Sequence, residues 1–310
     1  MKGYIGSVRF FKNLILLLVI VMITVPSVFA FRYRAQSRDL TQQVAQLEQA
    51  AQESALLVQQ KTEEITALEE YANSFHVDPE GPSYQQLYPD FYAPQPLSAM
   101  TRQENTIYLT FDDGPSPRTP EVLSLLREEN VKATFFVTGG SSEERQQWMR
   151  DIVSEGHTIA MHTYSHDYDE VYASVEDYLA DMYEIFSLIK SATGVTPTHF
   201  RMPGGSINGY NYDVCQEILT EMLRRGFVPY DWNISSGDAA SGGASVNQVI
   251  SNVLSGASRT DRGIVLMHDS SAKYTTVSAL PSMISSLRDM GFTFDRLTPD
   301  TAPILFDYAY

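Results

Sequence analysis

Between about residue 101 and residue 310, short β-rich runs of apolar residues alternate with stretches that carry apolar residues at helical spacing. The short runs predict seven strands, at 106–111, 133–137, 158–162, 199–201, 228–234, 264–268 and 293–294. The stretches between them predict six helices, at 119–130, 142–155, 175–193, 212–226, 246–255 and 277–290. This alternation indicates an α/β fold with a parallel sheet, either doubly wound or a (β/α) barrel. In both folds, functional groups gather at the carboxyl ends of the strands.

The N-terminal residues follow a different pattern, in which basic residues precede a long apolar run. The uninterrupted apolar part, 14–23, is short enough for a signal peptide with a cleavage site at 28–30. Extended to Phe31, and despite Pro26, the run reaches membrane-spanning length. The basic residues predict that the rest of the chain is exported under either interpretation. We favour an uncleaved anchor over 1–31, because a helical stalk follows it.

Apolar residues recur at heptad spacing in that stalk. One set of seam positions holds Val44, Ala51, Val58, Ile65 and Ala72, and the other holds Leu40, Leu47, Ser54, Lys61 and Leu68. This pattern predicts an amphipathic helix over 35–75 and a coiled coil that can make a homodimer. The alternative is a single helix that lies on the domain or on the membrane surface. At about 1.5 Å per residue, the helix would span roughly 50 Å.

A proline-rich linker, 76–100, separates the stalk from the domain at 101–310. Its prolines favour extended structure, and its aromatic residues indicate that it packs on that domain. These aromatic residues are Tyr84, Tyr88, Phe91 and Tyr92.

The net charge limits the kinds of partner, and the cysteine count limits the kinds of cross-link and metal site. The net charge of −16 argues against a nucleic-acid partner, because phosphate binding needs a basic patch. The single cysteine, Cys215, excludes a disulfide within the chain and a cysteine-based zinc site. Its apolar neighbours predict that Cys215 is a small buried residue.

Ionisable residues stand where several predicted strands end. They are Asp112 and Asp113 in YLTFDDGPSPRTP, His162 and His166 in MHTYSHDYDE, Arg201 in HFRMPGGS, and His268 in IVLMHDS. An Asp-Gly-Pro sequence alone is typical of an ordinary turn. The repetition at separate strands favours one shared site.

Two imidazoles and one carboxylate can form a metal site with open positions. Such a set suits catalytic zinc or iron in a facial triad. The alternative for His162 and His166 is a pair of histidines satisfied by backbone groups or solvent.

These residues and their neighbours resemble, in order, the motifs of the polysaccharide deacetylases of carbohydrate esterase family 4, the NodB-homology domains. The resemblance covers about 105–297. The motifs are Thr110-Phe111-Asp112-Asp113-Gly114-Pro115, His162-Thr163-Tyr164-Ser165-His166, Arg201-Met202-Pro203-Gly204-Gly205 and Leu266-Met267-His268. The resemblance implies a distorted (β/α) barrel of about seven strands, here preceded by the N-terminal anchor and helical stalk.

The resemblance also implies a role for each site residue. Asp112 is the expected general base, and Asp113, His162 and His166 are the expected ligands of a divalent metal. Zinc is expected, although this ligand set also permits iron or cobalt. The remaining roles are positioning of Asp112 by Arg201, acid catalysis by His268, an oxyanion contact from the Gly204 N–H, and a pocket wall from Leu266.

Two positions depart from the family's motifs. Gly204 stands where the family often has an aromatic residue, so a side-chain wall of the groove is lost. In the fourth motif, Asp238 takes the place of the aspartate that tunes the acidic histidine, and Ala239 replaces a tryptophan. Asp231-Trp232 is a second alignment, and the spacing favours Asp238.

The implied function is metal-dependent N-deacetylation of an acetylated cell-envelope polysaccharide. An enzyme tethered on such a stalk could reach peptidoglycan, so peptidoglycan N-acetylglucosamine is the expected substrate. The expected location is the cell membrane, single-pass, with the catalytic domain extracellular, or secreted if the N-terminal segment is cleaved. The alternatives are chitin-like, poly-N-acetylglucosamine or acetylxylan substrates, an inactive glycan-binding domain, and an iron oxygenase.

Overall fold

The chain divides into two compact units, Met1–Glu70 and Tyr71–Tyr310. The computed structural model describes residues 8–74, 81–94 and 100–307. His76, in the predicted linker, lies outside the described residues.

Helix α1, Val8–Ser74, contains the whole apolar run and continues through Pro26. The hydroxyls of Thr24 and Ser27 donate hydrogen bonds to the carbonyls of the residues four positions earlier, at 2.8 and 2.6 Å. The polar groups in the apolar run are therefore satisfied within the helix. The helix is long and apolar enough to cross a membrane, a property that signal sequences share.

The predicted stalk lies within the same helix. Val44, Leu47 and Val58, which are seam positions, each expose about half or more of their side chain. The side chains at four other seam positions lie outside the described set: Leu40, Ile65, Leu68 and Ala72.

Eight parallel strands form the sheet of the second unit. They are β1 Thr106–Asp112, β2 Thr134–Val137, β3 Thr158–Met161, β4 His199–Phe200, β5 Val228–Pro229, β6 Ile234–Ser235, β7 Arg262–His268 and β8 Thr293–Asp295. Seven of them follow the order β5-β4-β3-β2-β1-β7-β6. The first half of β1 pairs with β8, and its last three residues pair with β2.

The sheet curls because its two edge strands, β5 and β6, are consecutive in the chain. Only residues 230–233 connect them. Extended chain over five peptide steps reaches at most about 18 Å, so the two edges have to approach each other. The predicted distorted barrel of about seven strands is confirmed.

The prediction of one strand over 228–234 was wrong. The carbonyls of Tyr230 and Asp231 accept hydrogen bonds from the Arg201 side chain, at 2.9 and 3.1 Å. These residues cross the gap between the sheet edges, and a buried guanidinium takes the place of a neighbouring strand.

Seven α-helices accompany the strands in the described part of this unit, besides a short 3-10 helix at Ser83–Gln86. They are α2 Thr119–Glu128, α3 Glu143–Ser154, α4 Tyr168–Val171, α5 Val175–Thr193, α6 Cys215–Arg224, α7 Val246–Ala257 and α8 Tyr274–Asp289. The six predicted helices are present, most with shifted ends, and α4 was not predicted. Ser174 caps the start of α5 and Gly194, at φ 74°, ends it, so the predicted bounds of α5 match the structure.

Alternate residues of β1 face two different environments. Ile107, Leu109 and Phe111 belong to the large core between sheet and helices. Tyr108 belongs to a smaller cluster that also contains Phe136. Because side chains alternate along a strand, Thr110 and Asp112 lie on the same face as Tyr108. Asp112 is therefore placed on the inner face of the barrel, at its carboxyl end.

Residues 81–94, which we call the strap, pack on the domain as the aromatic residues of the linker predicted. Phe91 is fully buried. Its ring lies 5.0 Å from that of Phe186 in α5 and 4.8 Å from that of Phe227, which follows α6.

Arg225, directly after α6, holds the strap. Its fully buried guanidinium donates hydrogen bonds to four strap carbonyls, those of Tyr84, Leu87, Tyr88 and Phe91. Its charge is paired with Glu221, 2.6 Å away and itself buried. Cys215, at the start of α6, is buried as predicted.

Candidate active site

Three side chains meet where β1 and β3 end. Oδ1 of Asp113 lies 3.2 Å from Nε2 of His166 and 3.6 Å from Nε2 of His162. One potential ligand atom from each residue lies within 4.8 Å of the other two. We call Asp113, His162 and His166 together the metal cluster, because they could hold a metal ion. Among the described residues, this is the one group of three or more histidine, cysteine or acidic side chains with the spacing of a metal site.

The donor set fits a divalent metal. Oδ1 of Asp113 is buried and has no hydrogen-bond partner. Nδ1 of His162 lies 2.8 Å from the carbonyl oxygen of Arg201. Because a carbonyl only accepts, Nδ1 carries the proton and the Nε2 lone pair is available on the side of Asp113. A cation between these atoms would satisfy both the carboxylate oxygen and the imidazole.

The charges in this cluster depend on each other. Burial disfavours the charged form of Asp113, but the adjacent His166 and His162 outweigh it and hold its pKa well below the usual value. Burial also opposes a proton on His166, yet Asp113 raises the pKa of that imidazole. Burial lowers the pKa of His162.

Asp112 lies beside the cluster but is held from the other side. Its Oδ2 is 3.7 Å from Nε2 of His162, and its Oδ1 accepts a hydrogen bond of 2.7 Å from Nη1 of Arg201. Arg201 is fully buried, with its guanidinium 4.1 Å from the ring centre of Phe136. Its other acceptors are the Thr110 hydroxyl and the carbonyls of Tyr230 and Asp231. Through these partners, the buried guanidinium holds the segment that joins the two edges of the sheet, and it also positions Asp112.

His268, the last residue of β7, pairs with Asp238. Its Nδ1 lies 2.8 Å from Oδ1 of Asp238, and its backbone N–H donates to Oδ2 of the same carboxylate at 2.8 Å. Thr276 donates to Oδ2 as well, and Lys273 donates to the Asp238 carbonyl. Burial lowers the pKa of His268, but Asp238 and the nearby Asp112 outweigh it, so the pKa is raised.

The two possible fourth-motif aspartates have different surroundings. Asp238 contacts His268, whereas Asp231 accepts hydrogen bonds of 2.7 Å from the N–H groups of Ser206 and Phe306. Asp231 therefore ties the C-terminal segment to the loop after β4. Ala239 is exposed.

Gly204 and Leu266 lie at the same end of the barrel. Gly204 follows β4, is exposed, and has a φ of 76°. Leu266 and His268 are two apart in β7, so their side chains share a face. Both are half-buried.

The backbone is left-handed at three positions in the metal cluster and its loop. Asp113, Thr163 and His166 have φ values of 69°, 68° and 57°. They are three of the six non-glycine residues with positive φ in the described chain. Such backbone is uncommon and persists where surrounding contacts impose it.

Asp181 supplies one of those contacts, and sequence reasoning missed it. Its two carboxylate oxygens accept the backbone N–H groups of Tyr164 and Ser165, the latter at 3.0 Å. The loop between the two metal-cluster histidines is thereby fixed to α5. The only sequence signal was an acidic residue on the exposed side of a predicted helix.

Asp269 is a second missed residue, although it directly follows His268. Its side chain is buried and accepts a hydrogen bond from the Thr119 hydroxyl. A Cβ atom on Gly114 would lie 2.2 Å from Oδ1 of Asp269, so only glycine fits there. Burial, with added repulsion from Asp113, raises the pKa of Asp269 to about 7.

An aromatic group beside the metal cluster was also not predicted. The ring of Tyr168, at the start of α4, lies 5.5 Å from that of His166 and 5.0 Å from that of Tyr210. Tyr168 is half-buried and Tyr210 is exposed. The group therefore reaches from the metal cluster to solvent.

Comparison with known proteins decides the family. The family model described as polysaccharide deacetylase matches residues 99–222. A peptidoglycan-N-acetylglucosamine deacetylase of Bacillus cereus is 32% identical over 198 residues, which cover 63% of this chain and 70% of that protein. The chain belongs to the polysaccharide deacetylase family. It is therefore a hydrolase that acts on carbon–nitrogen bonds other than peptide bonds.

Other relatives of this deacetylase show the same relationship. A chitooligosaccharide deacetylase of Sinorhizobium fredii is 33% identical over 62% of this chain and 90% of its own length. The crystal structure of the catalytic domain of a peptidoglycan N-acetylglucosamine deacetylase from Eubacterium rectale superposes with a TM-score of 0.65 and 34% identity. That alignment covers 69% of this chain and 98% of the other.

Proposed function

We propose that this deacetylase removes acetyl groups from N-acetylglucosamine in peptidoglycan, with the reaction taking place outside the cell. The observation that carries the proposal is the pairing of Asp112 with Arg201 and of His268 with Asp238 beside one metal cluster. Amide hydrolysis needs a proton acceptor, a stabilised oxyanion and a proton donor in one site. The site has a candidate for each.

Asp113, His162 and His166 would hold the metal, and we expect zinc because two imidazoles and one carboxylate leave an open position. When bound, the metal polarises the acetyl carbonyl and makes bound water more acidic. The proton transfers would be carried out by other residues of the chain.

Asp112 would take a proton from the attacking water. Its Oδ1 is occupied by Arg201 at 2.7 Å, which leaves Oδ2 on the side of the metal cluster for that proton. Arg201 would thus act as a positioning residue for the base.

His268 would donate a proton to the departing nitrogen. The contact from Nδ1 to Asp238 leaves Nε2 for the substrate, and the raised pKa favours the protonated imidazole that a general acid needs. The backbone N–H of Gly204 would stabilise the oxyanion, and Leu266 would line the acetyl pocket.

The N-terminal unit would keep this activity at the cell envelope. Helix α1 would serve first as a membrane anchor over 1–31 and then as a stalk over 35–75, with the linker 76–100 leading into the catalytic domain at 101–310. The exposed seam residues of the stalk would pair with a second copy. Export would place the domain next to its polymer.

Acetate release tests the proposal. The full chain in detergent micelles would be treated with chelator, reloaded with Zn²⁺, Co²⁺ or Fe²⁺, and supplied with peptidoglycan, chitin oligomers, poly-N-acetylglucosamine or acetylxylan. We expect the fastest release from peptidoglycan with Zn²⁺, and none after chelation. Release that is faster from another polymer would overturn the substrate, and release from none of them would overturn the activity.

Variants separate catalysis from binding. Asp113→Asn should lose metal and activity together, while Asp213→Asn, at an exposed acid outside the cluster, should lose neither. Binding of peptidoglycan by the metal-free wild type, with no turnover after reloading, would instead favour an inactive glycan-binding domain.

A further inference from the structure

We propose that Tyr168, together with Tyr210, is the specificity-determining wall against which the sugar ring packs, in the place that Gly204 leaves without a side chain. The inference rests on the proposed function, because it concerns how that site holds an N-acetylhexosamine unit.

The backbone at Gly204 cannot supply this wall itself. Its φ of 76° is a backbone conformation that residues with a Cβ atom rarely adopt. A Cβ there would lie 2.9 Å from Nδ2 of Asn208, and 3.1 and 3.2 Å from Cε1 and the hydroxyl oxygen of Tyr168. The space above Gly204 is thus already filled by Tyr168.

Tyr168 reaches this place from the loop that follows His166. It lies two residues after His166, and its ring contacts the His166 ring edge to face, with centres 5.5 Å apart and an interplanar angle of 81°. One aromatic ring therefore lies beside a metal-cluster histidine and beside the place that a side chain on Gly204 would take. A substrate whose acetyl group lies at the cluster would bring its sugar ring close to Tyr168.

Tyr210 extends the surface toward solvent. Its ring lies 5.0 Å from that of Tyr168 at an angle of 65°, and 62% of the residue is exposed. Its backbone is fixed, because the N–H of Tyr210 donates to Oδ1 of Asn208 at 2.8 Å. A large exposed aromatic residue on a fixed loop beside a site is typical of a ligand-binding surface.

The chemistry of this wall selects a pyranose ring. A hexosamine has one face lined by C–H groups, which packs on an aromatic ring, while its hydroxyl and amide groups stay in contact with water or polar residues. A small acetyl ester has no such face. The wall should therefore discriminate between the two, whereas the metal and the catalytic residues should not.

Steady-state kinetics on both kinds of substrate test the inference. For Tyr168→Ala, we expect the KM for N-acetylglucosamine tetramers to rise about tenfold, with kcat within about threefold of the wild type. The same variant should hydrolyse ethyl acetate, which has no ring, within about twofold of the wild-type kcat/KM. Tyr168→Phe keeps the ring and should behave as the wild type on both substrates.

Two further variants keep the test sharp. Tyr210→Ala changes an exposed residue, so it should fold normally and raise the KM for the tetramer severalfold. Tyr212→Ala is the matched control, because Tyr212 is similarly exposed, at 65%, and lies two residues away. It should leave all constants unchanged.

The metal content and the thermal midpoint of each variant would be measured alongside. An unchanged tetramer KM in both Tyr168→Ala and Tyr210→Ala would overturn the inference. An equal loss on the tetramer and on the small ester would also overturn it, because Tyr168 would then act through His166 and not on the sugar.

Binding separates this inference from the proposed activity. If the wild type releases no acetate from any polymer, the proposed function fails. Calorimetric titration with the tetramer still tests the wall, since Tyr168→Ala should weaken the Kd about tenfold if it exists and leave it unchanged if it does not.

Discussion

At the scale of single residues, function in this deacetylase rests on side chains that hold other side chains. Asp112 and His268 would exchange protons with the substrate, but each is fixed by a partner, Arg201 or Asp238. Removing such a partner should change the pH dependence of the reaction, and not only its rate.

The pair of His268 and Asp238 makes this testable through pH. Because the proposed mechanism needs protonated His268, kcat/KM should fall as the pH rises through the pKa of that imidazole. Burial lowers that pKa, and the charges facing the ring from Asp238, Asp112 and Asp113 raise it. Asp238→Asn removes one of these charges, so the alkaline limb of the pH–rate profile should move to lower pH.

The exposed Asp213 provides the control, since Asp213→Asn removes one negative charge away from His268. Its alkaline limb should stay in place. An unshifted limb in Asp238→Asn would mean that His268 is not the titrating acid.

Asp181 should act on the metal without touching it. Asp181→Asn weakens the hold on Tyr164 and Ser165, which lie between His162 and His166, the two proposed metal ligands. Because outer partners orient metal ligands, we expect metal affinity to fall about tenfold or more. Competition with a chromophoric chelator would measure this, and kcat at saturating metal should stay near the wild-type value.

Glu184→Gln is the matched control, an exposed acid on the same helix. Its metal affinity should equal that of the wild type. If Asp181→Asn binds metal as tightly as this control, the carboxylate serves the fold only.

At the scale of elements, the sequence predicts best where a local signal marks both ends. Helix α5 has Ser174 before it and Gly194 after it, and its predicted bounds match the structure. The segment 228–234 alternates apolar or aromatic residues with proline or polar residues, as a strand does. The chain nevertheless leaves the sheet at Tyr230, whose carbonyl accepts a hydrogen bond from Arg201. No local pattern reveals a partner 29 residues away in sequence.

The candidate site also has one part that the sequence predicted and one part that it did not. Motif spacing predicted the gathering of Asp113, His162 and His166, because parallel strands bring their carboxyl ends to one edge. The filling of the Gly204 position by Tyr168 arises from two loops that meet only in the folded chain, so the sequence indicated a missing wall and not its replacement.

The strap gives a prediction at the level of an element. Arg225→Met removes four hydrogen bonds to strap carbonyls and one partner of the buried Glu221. We expect the free energy of unfolding to fall by about 3 kcal/mol, as measured by urea titration, because buried acceptors and a buried charge lose their partner.

Arg224→Met is the comparison. That side chain also pairs with Glu221, at 2.7 Å, and donates to two strap residues, Gln85 and Tyr92, but it is 20% exposed. Its loss should cost about 1 kcal/mol. Equal losses in the two variants would show that the burial of Arg225 and its four strap hydrogen bonds add no stability beyond what the contacts of Arg224 give.

At the scale of the whole molecule, the exposed seam of α1 predicts the oligomeric state. Leu47→Asp with Val58→Asp places charge at two seam positions, which should turn a detergent-solubilised dimer into a monomer. Light scattering after size-exclusion chromatography would measure the mass. Gln46→Asp with Gln52→Asp, outside the seam, should leave the mass unchanged. A monomeric wild type would contradict the paired stalk.

The strap also determines where a mechanical load enters the catalytic domain. A pull on the chain from the N-terminal side reaches the strap before it reaches β1, whose far end carries Asp112. The guanidinium of Arg225 and the ring of Phe91 fix the strap to α5 and α6, on the helical layer. If the N-terminal unit is held in the membrane while the polymer moves, the tension along the chain would act on these helices. The distance between Asp112 and the metal cluster would then stay the same.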